Sequence, residues 1–203
     1  MNEVLLWLSE NKVEFFATIF SLIYLYLSIK QKTVSWFFGI FGASLYTYIF
    51  FDSKLYALMS LQFYYISISI YGLYNWYIKN KETDNNFKIS FAFRDKKIVR
   101  NLLIVSILLY VFIFFLLSKF SKEGINELIY LESFVSSLSI ISVWMLTRKM
   151  IETWIMWIII DTVSIGLYFY KELYFTTFLF VVYTFASIIA YIEWKKIDSI
   201  KNN

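Results

Sequence analysis

The sequence predicts an all-α, polytopic membrane protein with seven transmembrane helices in a three-plus-one-plus-three order, and three observations carry that expectation. Of its 203 residues, 60% are hydrophobic and 17% charged, against about 25% charged residues in a typical soluble domain. The apolar residues come in blocks of about 20, the length that crosses a bilayer as a helix, parted by short charged clusters. The halves also repeat: Leu45-Tyr46, Leu55-Tyr56 and Trp76 are echoed by Leu167-Tyr168, Leu173-Tyr174 and Trp194. A single transmembrane domain over 1–203 is therefore expected, with repeat one over about 13–78, a linker helix over about 99–118 and repeat two over about 130–194.

Taken in order, Met1 to Lys12 holds Leu5, Leu6, Trp7 and Leu8 between Glu3 and Glu10. It is too short to span and too acidic at its start for a signal peptide, and reads as an interfacial stub. The first helix, 13–29, closes on Lys30-Gln31-Lys32. A short turn leads to the second, 34–51, whose Trp36 suits the headgroup level. The third covers 55–78. The polar stretch from Lys79 to Arg100 is the longest non-membrane piece and separates the halves. Helices at 99–118, 130–147, 152–169 and 173–194 complete the seven. The repeat offset is 118 between Tyr56 and Tyr174 and between Trp76 and Trp194, but 122 between Tyr46 and Tyr168. That predicts a connection four residues longer between the second and third helices of the first half. Two like-oriented repeats around a linker helix is the parallel-repeat plan of some transporters, with the substrate site near the midplane between repeats. Without Pro, bending would fall to Gly39, Gly42, Gly72 and Gly166, or those glycines mark tight helix contacts.

Charge sets the orientation. On the N-terminal side of a seven-span chain lie Lys12, Lys54, Lys119, Lys122 and Lys171, while the remaining 14 of the 19 basic residues fall on the other side. Basic residues gather in the cytoplasm, so the N-terminus is expected outside and the C-terminus inside. A six-span chain splits the charges much less cleanly. The net charge of +4 thus reads as topology and not as a nucleic-acid footprint. Zero His and zero Cys remove the commonest general base, the thiolate nucleophiles and most metal sites. None of the five glycines forms a G-x-x-x-x-G-K-[ST] run, so the chain has no such loop for ATP. An enzyme is not expected, nor is a cofactor or a metal.

The polar residues inside apolar helices are the informative ones. Asp161 sits within Trp-Ile-Met-Trp-Ile-Ile-Ile-Asp-Thr-Val-Ser-Ile-Gly, where a charged side chain costs about 3 kcal/mol or more unless paired or wetted. At about 100° per residue, Trp154, Trp157, Asp161 and Tyr168 share one face. One acid beside two indoles and a phenol suits a flat organic cation. The competing reading makes Asp161 a structural acid and the tryptophans interfacial anchors. On the third helix, Gln62, Tyr65, Ser69 and Trp76 share a face, and Gln62 either reads an amide, hydroxyl or pyrimidine edge or joins helices. Asn75 reads as a helix-end polar residue. Glu132, Ser136 and Ser139 form either a wet wall or a packing face on the fifth helix, and Tyr183, Ser187 and Trp194 an aromatic packing stripe on the last.

These residues resemble the PnuC family of bacterial vitamin transporters over nearly the whole chain. The resemblance is carried by Leu61-Gln62, Tyr71-Gly72-Leu73-Tyr74-Asn75-Trp76, Leu146-Thr147-Arg148-Lys149 and above all Trp154-x-x-Trp157-x-x-x-Asp161 followed by two Leu-Tyr pairs. It implies that Trp154, Trp157, Asp161 and Gln62 line a substrate site. It also implies a fold related to the SWEET sugar transporters, a homotrimer in the bacterial inner membrane, and facilitated diffusion of nicotinamide riboside made one-way by intracellular phosphorylation. Two departures bear on the substrate: Leu73 replaces the aromatic of the usual Tyr-Gly-Trp, and Asp161 stands where many nicotinamide riboside members have Asn. Relatives carry thiamine or riboflavin. Nicotinamide riboside and thiamine both bear a quaternary ring nitrogen that an acid favours, so nicotinamide riboside ranks first, thiamine second and neutral riboflavin third. A proton-coupled symporter that uses Asp161 as its carrier is the alternative mechanism.

Overall fold

The computed structural model describes residues 12–52, 56–82, 88–120, 127–170 and 174–202. The expected N-terminal stub up to Asn11, Leu55, Leu173 and the topology lysines Lys54, Lys122 and Lys171 lie outside these residues. Among the described residues there are seven α-helices: α1 (Lys12–Ile29), α2 (Ser35–Asp52), α3 (Tyr56–Glu82), α4 (Lys96–Phe120), α5 (Glu127–Thr147), α6 (Glu152–Tyr170) and α7 (Tyr174–Asn202), with a 3-10 turn at Ala92–Arg94. Helices α3 and α7 run past their apolar zones, because the polar residues after Ile78 and Trp194 include no Pro or Gly to stop them. The long polar stretch is correspondingly shorter than expected: its first residues end α3 and its last begin α4.

Four helical stretches are long and apolar enough by themselves to cross a bilayer: Lys96–Phe120, Leu128–Thr147, Glu152–Tyr170 and Thr177–Ile197. Phe15–Ile29 is apolar but shorter. In α2 and α3 the many Tyr, Ser and Trp residues, with Gln62 and Asn75, dilute the apolar signal.

The chain divides into two compact units, Met1–Phe87 and Lys88–Asn203. In the first, α2 packs against both α1 and α3; in the second, α4 packs on α5, α5 on α6, and α6 on α7. Helix α4 buries none of its side chains and presents Leu103, Ile107, Phe112 and Phe115 outward, the surface of a helix that meets lipid.

The internal geometry of the units repeats at an offset of 118. In the α1–α2 turn, the Gln31 N–H donates to the Ser28 carbonyl and Lys32 to Leu27; in the α5–α6 turn, Lys149 donates to Leu146 and Met150 to Met145. Among the described residues, Gln31 and Lys149 are the non-glycine residues with positive φ, at 53° and 52°. Both turns thus end a helix on a left-handed residue that satisfies its last carbonyls. The Trp36 and Trp76 rings meet edge to face at 5.4 Å, and Trp154 and Trp194 do the same at 5.5 Å.

This overturns two expectations. Trp36 is fully buried and wedged against Gly72, where a Cβ would come within 2.6 Å of its ring; it is a packing residue inside the unit and not an aromatic presented to lipid headgroups. The four-residue difference between the halves is not found among the described residues: the two tryptophan pairs each join positions 40 apart. Helices α2 and α6 end at Asp52 and Tyr170, and α3 and α7 begin at Tyr56 and Tyr174, each pair 118 apart. Matching Tyr46 to Tyr168 slips the alignment by about one helical turn, an error that frequent Leu-Tyr pairs invite.

Candidate functional site

Helices α6 and α7 run antiparallel, and their contacts form a ladder with a rung every seven residues on each helix. Trp154 meets Trp194, Asp161 meets Ser187, and Tyr168 stacks on Phe180 with ring centroids 5.0 Å apart. Seven residues are two helical turns, about 10.5 Å of rise, so the rungs line one seam. In the first unit Trp36 meets Trp76 in the same register, and the positions equivalent to Asp161, Ser187, Tyr168 and Phe180 are Ala43, Ser69, Phe50 and Gln62. Where repeat two has Trp157 and Asp161, repeat one has Gly39 and Ala43, and Tyr24 and Ser69 close the space above Gly39: a Cβ there would meet both at 3.1 Å. The position equivalent to Tyr24 in repeat two is Ser142, a small residue whose hydroxyl bonds back to Leu138. Bulk has changed sides of the seam, and acid and indole appear in one repeat alone.

Asp161 is 2% exposed. Its Oδ2 accepts a long hydrogen bond of 3.4 Å from the Ser187 hydroxyl. A carboxylate has about four acceptor sites, so this acid is left with most of its capacity unused. One turn on, the fully buried Ser164 hydroxyl has no hydrogen-bond partner, and neither does the Trp154 indole N–H. An under-bonded acceptor and two unpaired donors thus fall on one face of α6, where leaving them unmet costs about 1–3 kcal/mol each.

The expected site residues divide between the units. Trp154, Trp157, Asp161 and Tyr168 are brought onto the α6 seam; Gln62 and Tyr65 lie on α3 in the first unit, where Tyr65 meets Tyr64 at 5.7 Å between ring centroids. Gln62 is half-buried and makes no hydrogen bond among the described residues. The aromatic rings are not equivalent. Trp154 is buried and held by Trp194, so it is not an interfacial anchor, and Tyr168 is held by Phe180. Trp157, half-buried one turn before Asp161, has no ring partner among the described residues.

Three groups escaped the sequence reading in whole or part. Ser187 looked like part of an aromatic packing stripe, although its heptad spacing from Trp194 matches that of Asp161 from Trp154. Ser164 was not singled out. Glu152, 2% exposed, accepts from the backbone N–H groups of Ala92 at 2.9 Å and Phe93 at 3.0 Å. Beside it, Ser90 pairs with Met150 as an isolated parallel bridge. The residues before α4 are thereby clipped to the turn that starts α6. Asn75 is buried and not merely a helix-end residue. On α5, the buried Ser139 bonds back to the Val135 carbonyl at 2.8 Å, as Ser133 and Ser142 do to carbonyls one turn earlier, while Glu132 and Ser136 are half-buried.

The sequence profile described as "Nicotinamide mononucleotide transporter" matches residues 11–196. The chain belongs to the nicotinamide mononucleotide transporter family. Among that family's curated relatives, the nicotinamide riboside transporters PnuC of Escherichia coli and Shigella flexneri are each 27% identical to the chain over 195 residues, covering 87% of it and 82% of the relative. A crystal structure of the vitamin B3 transporter PnuC superimposes with a TM-score of 0.72 at 17% identity, over 98% of this chain and 86% of that one. The family is one of membrane transporters, and the apolar helices fit a multi-pass protein.

Proposed function

We propose that this chain carries nicotinamide riboside across the bacterial inner membrane by facilitated diffusion. It would do so as seven spans in a three-plus-one-plus-three, SWEET-like arrangement of two parallel repeats, with the N-terminus outside, the C-terminus inside and three copies per assembly. In this reading Asp161 faces the quaternary pyridinium, Trp157 stacks on it, Gln62 and Tyr65 bond the polar groups, and Trp154 and Tyr168 build the wall. The observation that carries it is an under-bonded carboxylate buried in an apolar helix, one turn from an uncommitted indole. Such a pair offers a cationic ring charge and a stacking face, contacts worth about 0.5–2 kcal/mol for the ring alone.

The riboside is favoured over its phosphate ester. No Lys or Arg occurs within 152–170 or 174–194, so nothing on α6 or on this part of α7 offsets the repulsion between Asp161 and a phosphate. Thiamine, the other quaternary candidate, is the second reading, supported by the same buried carboxyl group. Trapping by an intracellular kinase would make entry one-way.

Purified protein in liposomes tests this. Labelled nicotinamide riboside should equilibrate and never exceed its outside concentration, the mononucleotide should be excluded, and a kinase sealed inside should produce accumulation. Uptake above the outside concentration under a proton or sodium gradient alone would replace facilitated diffusion with coupling at Asp161.

A further inference from the structure

We propose that the cytosol-proximal end of α4 is a binding site for one anionic phospholipid. A groove of about 500 Å³ runs along this helix, lined by Phe93, Lys96, Arg100 and the aliphatic side chains of Val99, Leu103 and Ile107. The spacing puts these residues on one helical face. From Lys96 to Ile107 the helix rises by about 16 Å, close to half the roughly 30 Å hydrocarbon core and so to one leaflet. The groove is therefore cationic at one end and apolar along a leaflet's length.

The charges at its mouth are uncommitted. Lys96 and Arg100 are exposed and form no ion pair among the described residues. The neighbouring Asp95 carboxylate is turned onto the backbone N–H of Lys97 at 2.8 Å and of Ile98 at 3.4 Å, capping α4. Arg94 is occupied over the Phe91 ring, 4.0 Å from its centroid. Charge complementarity decides between occupants. A second copy meeting this face with its own, as a two-fold contact would, sets Lys96 and Arg100 against like charges, and a three-fold contact with some other face is the outcome that the oligomeric mass of L103W reads. An anionic headgroup meets them with opposite charge while its acyl chain fills the aliphatic part.

The experiment compares the purified full-length protein in neutral detergent with added phosphatidylglycerol or phosphatidylcholine of the same chain length, reading bound lipid by native mass spectrometry and the melting temperature. Phosphatidylglycerol should be retained in preference and raise the melting temperature more. Juxtamembrane cations contribute about fivefold each, so K96Q with R100Q should cut that preference by about thirtyfold. L103W, which fills the groove and keeps both charges, should also lose the lipid. Unchanged preference in K96Q/R100Q would overturn the proposal. So would stabilisation by inorganic phosphate equal to that of the lipid, or a L103W protein that changes oligomeric mass while its lipid binding stays intact.

Discussion

Trp154 and Trp157 stand one helical turn apart and differ in what their rings touch. Trp154 is buried and packed against Trp194, so Trp154→Ala should cost about 3–5 kcal/mol of stability, as large buried aromatics do. Trp157 has no ring to lean on among the described residues, and Trp157→Ala should leave the melting temperature within a few degrees while weakening substrate binding by about tenfold. Melting and binding isotherms on both variants check this, and equal stability losses would place Trp157 in the core. The glycines divide in the same way. Gly72→Ala drives a Cβ into the Trp36 ring and should lose about 1–3 kcal/mol, whereas Gly166 has nothing within 4 Å. Gly166→Ala should be neutral or gain up to about 1 kcal/mol of helix propensity, both read by thermal unfolding. The pattern W-x-x-W-x-x-x-D showed which residue types converge on a cation. It did not reveal which indole is structural, because that depends on a partner 40 residues further along the chain.

At the scale of elements, the helices were legible because 20-residue apolar blocks admit few alternatives, and their ends moved by at most four residues except in α7, which runs on to Asn202. The α6–α7 seam was also legible in principle: Trp154, Asp161 and Tyr168 keep the same sevenfold spacing as Phe180, Ser187 and Trp194. What hid it was the abundance of aromatics, which made one more aromatic stripe look like packing. The Glu152 clip left no trace in the sequence, since its partners are backbone N–H groups of residues 59 and 60 positions away. Removing it should free the residues before α4. Glu152→Ala should lose about 1.5–3 kcal/mol, the worth of hydrogen bonds to a charged group. The Ala92 and Phe93 amides should also lose their protection in hydrogen exchange. Persisting protection there would mean that the Ser90–Met150 bridge holds the segment alone.

For the whole molecule, the two matching turns and the two matching tryptophan pairs fit descent from one three-helix repeat, with Asp161 and Trp157 kept on one side of the pair and Gly39 and Ala43 on the other. In the proposed orientation, which the 14-to-5 distribution of basic residues supports, the ends of α3 and α7 lie in the cytoplasm. A cysteine at the exposed Glu82, in this Cys-free chain, should therefore resist impermeant thiol reagents on intact cells and react after lysis; ready labelling of intact cells would invert the orientation. The central claim is that Asp161 recognises a cationic ring, and calorimetric titration of nicotinamide riboside into the purified protein and its Asp161→Asn variant tests it most directly, with riboflavin as the neutral control. The account predicts binding of nicotinamide riboside that weakens by about tenfold or more in Asp161→Asn while any riboflavin binding is little changed. Equal losses for both compounds, or none for nicotinamide riboside, would contradict it.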